Sequence, residues 1–427
     1  MKNKTIENIE YYTNKLFPIN RSITGEGNRK SLNILKEIIP INIIEYQSGT
    51  KVYDWTIPPE WNLVDGWIKN SKGEKIVDLK NSNLHIVSYS QKIHKKIKFK
   101  ELKKHVYYNE IQPDAIPYIT SYYDKHWGFC LSFNDFKNHF KENETYEVFI
   151  DSSHTKGNLT VGEILVHGKK KEEYLISTYI CHPEMANDNL SGMIMTSFLA
   201  KKMLEMKLEY SYRIIFVPET IGAISYCYHN QSSMKKTRGG IVVTCVGGPG
   251  QFSLKKSFVK NNFIDKVAQK TLKESGERFI EYKFIPQGSD ERQYSSPGFR
   301  IPCISICKDK YWEYPAYHTS LDNLKFVRPE NIFKSLEIYL RLIKNIDKEK
   351  FFTSKNQDCE IQLGKRNLYP KLGIGKEKRN LALSAILWVL FFSDGKTTIE
   401  EMVEKSEMTR KEIVTAIKKL KDREIIT

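Results

Sequence analysis

The segment from residue 174 to residue 206 most constrains the fold, because its pattern predicts a buried strand, a short polar loop and a helix. Residues 174–180 form an apolar run typical of an interior strand, and residues 190–206 have apolar side chains at helical spacing. His182 and Asp188 lie in the loop between them. Loops at strand ends carry the chemistry of α/β sheets, and both residue types bind zinc. The alternative is a histidine and a helix-capping aspartate without a metal.

Strands and helices alternate along the central part of the chain. Further strands are predicted at residues 212–217, 240–246 and 302–307, and helices at residues 262–275 and 329–346. Such alternation favours a mostly parallel sheet with helices on both faces. The predicted fold class is therefore α/β.

With 427 residues, of which 40% are hydrophobic, the chain is long enough for two or three domains. Short alternating runs and turn residues predict a β-rich insert, and three short helices near the end predict a winged helix-turn-helix. The predicted organisation is a discontinuous α/β domain (1–50 and 140–352), the β-rich insert (51–139), a polar linker (353–378) and the winged helix-turn-helix (379–427).

The composition limits the classes of partner. The formal net charge is +16, but basic and acidic residues are interleaved along the chain, which indicates compositional bias more than nucleic-acid binding. Helix 410–421 has enough basic residues to contact phosphates, so DNA binding stays open as a less favoured interpretation. The longest apolar run, residues 381–392, is about half a membrane span and fits a buried helix better.

Two features predict a cytoplasmic location. Residues 1–10 lack the apolar centre of a signal peptide. The seven cysteines are scattered without paired spacing, which is typical of buried thiols in a reducing compartment. We therefore predict a cytoplasmic protein with no membrane partner, and homo-oligomer formation stays open.

Two further strand ends carry ionisable side chains. Glu219 follows strand 212–217, and His318 follows strand 302–307 in a polar loop. Single residues of this kind are more often structural. Three strand-end clusters of His, Asp and Glu in one sheet are difficult to explain as packing, and they predict a shared site with His182.

Other polar residues near these strands have several interpretations. Asp290, Glu291 and Arg292 could bind an amino or carboxylate group of a substrate, or form a surface ion-pair cluster. Glu184, Asp290 or Glu291 could complete a metal shell. Arg21 could cap a helix or contact the site.

These residues together resemble a known family. In chain order they are His182, Asp188-Asn189-Leu190-Ser191-Gly192, Glu219, Tyr317-His318-Thr319 and Asp322. The series resembles the zinc aminopeptidases, a group that also includes glutaminyl cyclase. The resemblance implies that His182, Asp188 and His318 bind zinc and that Glu219 is the general base. Tyr317 joins the predicted substrate-binding residues Asp290, Glu291, Arg292 and Arg21.

A closer resemblance covers nearly the whole chain. It rests on the segments at residues 20–27, 112–118, 127–132 and 288–293. These are similar to a bacterial family with an aminopeptidase-like domain, a β-rich insert and a C-terminal winged helix, often named for polysaccharide-biosynthesis loci. The resemblance therefore implies the zinc-aminopeptidase-like fold for this chain.

The chain departs from the two-zinc pattern at two places. The residue after Glu219 is Thr220, whose neutral hydroxyl is a poor ligand, where the family has a second glutamate. No acidic residue occurs between Thr220 and Ile264, although another aspartate ligand is expected there. We therefore expect the site to bind one zinc ion in preference to two.

These observations lead to one preferred function and one alternative. The preferred function is a zinc-dependent hydrolase of aminopeptidase or amidase type, acting on a small peptide-like or aminoacylated substrate. The alternative is a catalytically degenerate scaffold that uses the winged helix to contact a protein partner or DNA.

Overall fold

The computed structural model describes residues 2–260, 262–369 and 381–427. The chain divides into two compact units, Met1–Lys344 and Asn345–Thr427. Part of the predicted linker 353–378 and the predicted start of the winged helix at residue 379 lie outside the described residues. The predicted domain boundaries stay predictions.

The first unit contains most of the strands. They are β1 (Asn42–Gln47), β2 (Lys51–Val52), β3 (Trp55–Thr56), β4 (Glu60–Lys69), β5 (Lys75–Asp78), β6 (Ile93–Lys98), β7 (Val106–Tyr107), β8 (Phe129–Cys130), β9 (Thr145–Thr155), β10 (Asn158–Val166), β11 (Glu173–Tyr179), β12 (Ser211–Val217), β13 (Gly240–Val242), β14 (Phe252–Lys255), β15 (Phe279–Tyr282) and β16 (Cys303–Lys308).

Helices accompany these strands along the chain. They are α1 (Lys2–Leu16), α2 (Glu26–Leu35), α3 (Phe99–Leu102), α4 (Phe133–His139), α5 (Gly192–Leu204), α6 (Ile221–His229), α7 (Gln231–Met234), α8 (Phe263–Ser275), α9 (Glu291–Tyr294) and α10 (Pro329–Lys348).

An eight-stranded sheet forms the centre of this unit, in the order β1-β10-β12-β11-β13-β16-β14-β15. The central strands β12, β11, β13 and β16 are parallel, whereas β10 and β14 run antiparallel to their neighbours β12 and β16. Strand β11 is buried along nearly its whole length, as expected for a parallel strand covered on both faces. The predicted fold class is confirmed.

A second, antiparallel sheet has the order β5-β4-β9-β6. Its core is apolar and includes Ile68, Val148 and Ile150. Strand β9 begins at Thr145, beyond residue 139, where the insert is predicted to end. It nevertheless belongs to this second sheet, because it pairs with both β4 and β6.

The described part of the second unit contains a two-stranded sheet and several helices. Its elements are β17 (Phe351–Thr353), α11 (Leu381–Phe391), β18 (Asp394–Thr398), α12 (Ile399–Ser406) and α13 (Arg410–Lys421). Helices α12 and α13 each begin with a capping box, formed by Thr398 with Glu401 and by Thr409 with Glu412. Both boxes follow the Ser/Thr-x-x-Glu spacing in the sequence.

Helix α11 is less buried than its apolar sequence predicts. Ala385, Ile386 and Val389 are buried, but the side chain of Phe391 is 76% exposed. Hydrophobic periodicity cannot predict which face is buried in a helix that is apolar on every side, so the packing of the unit decides it. Among the described residues, the helices are all too short or too polar to cross a membrane.

Truncating the core of the second unit should loosen it. Leu420 is fully buried in the apolar cluster that includes Val389 and Ile413. We expect Leu420→Ala to lower the free energy of unfolding of this unit by about 2–5 kcal/mol. Val414, on the same helix, is 44% exposed, so Val414→Ala should change it by less than about 0.5 kcal/mol. Hydrogen exchange of peptides from residues 381–427 would measure both, and equal protection in the two variants would contradict the expectation.

Candidate metal centre

Two parallel strands bring His182 and Glu219 to one edge of the main sheet. Strands β11 and β12 are in register, with Tyr179 beside Val217 at their carboxyl ends. The chain leaves both strands there, and the backbone N–H of Glu219 donates to Cys181 Sγ at 3.3 Å. As a result, His182 Nε2 lies 3.9 Å from Glu219 Oε2.

His182, Asp188 and His318 converge at this edge. Each residue offers one ligand atom, and these atoms lie within 4.8 Å of one another. Asp188 Oδ2 is 3.0 Å from His318 Nε2 and 4.0 Å from His182 Nε2. The structure therefore brings the three predicted ligands together with the predicted base, although they come from distant parts of the chain.

The donor set fits a zinc ion. Two ligand atoms of a tetrahedral zinc lie about 3.3 Å apart, since each bond is about 2.0–2.1 Å long. Asp188 Oδ2 and His318 Nε2 are buried and make no hydrogen bond of good geometry with any described residue. Buried polar atoms rarely lack a bonding partner, and a cation between these two atoms would satisfy both.

Neighbouring residues hold Asp188 in place. Its Oδ1 accepts a hydrogen bond from the Tyr179 hydroxyl. Its backbone N–H donates to Asp322 Oδ2 at 2.9 Å, and the N–H of Asn187 donates to Asp322 Oδ1 at 2.6 Å. The Tyr314 hydroxyl also donates to Asp322. The Asp322 carboxylate thus fixes the backbone of the loop that carries Asp188, which accounts for Asp322 in the sequence pattern.

Residues 116–118, which lie between β7 and β8, hold the loop of His318 by hydrogen bonds. The backbone N–H of Tyr118 donates to the His318 carbonyl at 2.9 Å, and that of Ile116 donates to Ser320 Oγ at 2.9 Å. The ring of Tyr118 lies 5.3 Å from the rings of both His182 and His318. Sequence reasoning did not place Tyr118 in the site, because its segment carried only a family resemblance and no chemical signal.

Burial controls the protonation of this site. It lowers the pKa of His182 to about 4, so the imidazole is neutral at pH 7 and has a lone pair available for a metal. Burial, followed by the nearby carboxyl groups of Asp290 and Asp188, raises the pKa of Glu219 well above its usual range. A raised pKa suits a group that must both accept and return a proton.

Arg21, Tyr317 and Glu184 also lie around the centre. The guanidinium of Arg21 is fully buried and donates to the carbonyls of His182 and Leu16. The ring of Tyr317 stacks on that of His318 with centroids 3.9 Å apart. The Glu184 carboxylate accepts hydrogen bonds from Ser82 and from Asn83, and is not one of the three grouped ligands.

The predicted cluster at residues 290–292 divides into buried and exposed members. Asp290 is buried and accepts a hydrogen bond from the backbone N–H of Thr220 at 2.8 Å. Glu291 is also buried and pairs with Lys255 at 2.9 Å. Arg292 is exposed, and its Nη2 donates to Thr220 Oγ1 at 3.2 Å. The cluster therefore adjoins Glu219, but only Arg292 is open to solvent.

Comparison with known proteins agrees with this architecture. Residues 11–349 match a family described as a domain of unknown function (DUF4910), and residues 351–427 match a winged helix-turn-helix family. A protein of Clostridium acetobutylicum, named as a candidate polysaccharide biosynthesis protein with an aminopeptidase-like domain, is 43% identical over 92% of this chain and 90% of its own length.

Solved structures show the same relationship. The crystal structure of a candidate peptidase from Clostridium acetobutylicum has a TM-score of 0.81 and 41% identity, covering 100% of this chain and 97% of its own. A zinc aminopeptidase from Bacillus subtilis has a TM-score of 0.59 at 11% identity, over 81% of this chain and 95% of its own. The second likeness concerns the fold alone. The resemblance found in the sequence is confirmed.

Proposed function

The chain belongs to the aminopeptidase-like family described as a domain of unknown function (DUF4910), and from this and the site geometry we propose a zinc-dependent hydrolase of aminopeptidase or amidase type. The observation that carries the proposal is the convergence of His182, Asp188 and His318 beside Glu219. The proposed substrate is a small peptide-like or aminoacylated molecule with an amide bond.

His182, Asp188 and His318 are the proposed zinc ligands. When bound, the ion would polarise the scissile carbonyl and lower the pKa of an attacking water toward neutrality. His182 follows strand β11, backbone hydrogen bonds from residues 116–118 hold the loop of His318, and the Tyr118 ring lies against both imidazoles. The chain thus holds its ligand atoms in place before any substrate arrives, which limits the cost of reorganisation.

Glu219 is the proposed general base. Its carboxylate lies at the edge of the ligand cluster, and its side chain is 28% exposed, so a substrate can reach it. Glu219 would accept a proton from the attacking water and deliver it to the nitrogen of the leaving amine. Its raised pKa favours the first transfer, because it makes the Glu219 carboxylate a stronger base than an ordinary glutamate.

Two contacts support one ion in preference to two. The Tyr179 hydroxyl already occupies Asp188 Oδ1, which leaves Oδ2 as the oxygen without a hydrogen bond. Thr220, which stands beside Glu219, offers only a hydroxyl, and that hydroxyl accepts a hydrogen bond from Arg292. A second cation near Thr220 would also be repelled by the Arg292 guanidinium.

The winged helix does not support nucleic acid as the main partner. Residues 381–427 contain eight basic and eight acidic residues, and the whole family-matched segment, residues 351–427, contains fifteen and eleven, a net charge of only +4. Arg410, at the start of α13, pairs with Glu400. DNA-binding modules rely on an excess of basic residues for phosphate contacts. A protein contact suits this balanced surface better.

Metal analysis and a substrate screen test the proposal. We expect purified protein, dialysed without chelator, to contain close to one zinc ion per chain by elemental analysis. We also expect zinc-dependent release of amine from some member of a panel of aminoacyl amides and small acylated amines. Protein that binds zinc but cleaves none of them would favour the degenerate scaffold, and protein without affinity for zinc would exclude the proposed mechanism.

A further inference from the structure

Residues 288–292, a loop that continues into the first turn of helix α9, are fixed on two sides. Asp290 accepts the backbone N–H of Thr220 at 2.8 Å, which ties the loop to the residue after Glu219. On the other side, Glu291 Oε1 lies 2.9 Å from Lys255 Nζ and 3.1 Å from the Tyr311 hydroxyl, and the side chains of Glu291 and Lys255 are 1% and 3% exposed. Both acids therefore act as anchors of the loop.

The anchored loop presents Arg292 to solvent. A guanidinium has five N–H donors. The structure gives this side chain one hydrogen bond, from Nη2 to Thr220 Oγ1, and no ion pair with any residue in the described part of the chain. Its immediate neighbours Asp290 and Glu291 are buried and engaged elsewhere. An exposed arginine on a rigid loop, with most donors unused, is pre-organised to bind an anion.

We propose that Arg292 forms an anion subsite, so that the substrate carries a carboxylate or phosphate group close to the amide that is cleaved. The inference rests on the proposed function, because Thr220 links Arg292 to the proposed base Glu219. A planar guanidinium can donate two parallel hydrogen bonds to two oxygens of either anion. The substrate class is therefore an N-acylated amino acid, or an amide that also carries a phosphate ester, in preference to a neutral amide.

The subsite also separates the roles of the three predicted substrate-binding residues at this loop. Arg292 contacts the anion, while Asp290 and Glu291 hold the loop that carries it.

Anion binding to metal-free protein tests the subsite without any need for turnover. Protein stripped of metal is titrated with succinate and, separately, with inorganic phosphate in a calorimeter. We expect Arg292→Ala to weaken binding of the preferred anion at least fivefold. Arg292→Lys keeps the charge but loses the two parallel N–H donors of the guanidinium, and we expect it to weaken binding less. Arg300, an exposed arginine that stacks on Phe258, provides the control, and Arg300→Ala should bind like the wild type.

The comparison of the two anions identifies the source of the negative group. Tighter binding of succinate indicates a carboxylate substrate, and tighter binding of phosphate indicates a phosphate ester. Equal affinity of wild type and Arg292→Ala for both anions would overturn the proposal.

A second measurement uses any amide substrate found in the screen. We expect the wild type to prefer an acylated amino acid over its neutral carboxamide by at least tenfold in kcat/KM, and Arg292→Ala to reduce this ratio toward one. An unchanged ratio would overturn the inference. If no amide is cleaved, the proposed hydrolase fails, while the titrations still decide whether Arg292 binds anions.

Discussion

Replacing Glu219 with Gln is expected to lower kcat/KM by about 10²–10⁴-fold while zinc remains bound. Glutamine has nearly the same shape but cannot accept a proton from water. Glu219 is outside the group of three proposed ligands, so its replacement leaves their contacts in place. Steady-state kinetics and elemental analysis of the same preparation would measure both quantities.

Glu184 offers a matched control for this experiment. It lies two residues after His182, but its carboxylate is turned toward Ser82 and Asn83. We expect Glu184→Gln to retain activity within about tenfold of the wild type, because the amide can still accept a hydrogen bond there. Full activity in Glu219→Gln would remove Glu219 from the mechanism, and equal losses in both variants would indicate damage to the loop.

Replacing Asp188 with Asn should remove most of the zinc and, with it, the activity. Asp188 is the only carboxylate among the three grouped ligands, and its Oδ2 lies 3.0 Å from His318 Nε2. Asparagine can keep the contact with Tyr179 but offers a neutral ligand oxygen. Loss of an outer hydrogen bond typically weakens metal binding by 10–100-fold, so loss of this ligand should weaken it by more than about 100-fold.

Competition with a chromophoric chelator would measure this loss of affinity. Asp265→Asn provides the control, because Asp265 is also buried and accepts hydrogen bonds from Ser257, but lies outside the grouped ligands. That variant should bind zinc as tightly as the wild type. Unchanged affinity in Asp188→Asn would exclude the proposed ligand set.

The residues of the proposed site could be recognised without the structure, for a physical reason. His182 and Glu219 each directly follow an apolar strand, and parallel strands that are neighbours place their ends together. That rule holds for any sheet of this class, so sequence and strand order suffice to bring the two side chains close. The identity of the metal and the roles of its ligands do not follow from strand order. They stay a proposal, supported by distances of 3.0 and 4.0 Å from Asp188 Oδ2 to the Nε2 atoms of His318 and His182.

Some residues around the site could not be recognised in this way. Tyr118 contacts both histidine rings, yet it lies between β7 and β8 and precedes His182 by more than sixty residues. Lys255 and Tyr311 hold Glu291 in the interior, where a lysine is unexpected from sequence. These contacts depend on how distant segments pack, and no local pattern encodes them.

Local sequence thus determined the strands, their polar ends, the helix caps at Thr398 and Thr409, and the chemical types available at the sheet edge. These features depend on neighbouring residues and on side-chain periodicity, which any segment displays by itself. Tertiary structure alone decided that Asp290 and Glu291 are buried anchors while Arg292 is exposed, although the three are adjacent in the chain. Burial is a property of the surroundings, because the cost of removing a charge from water depends on the partners that the fold supplies.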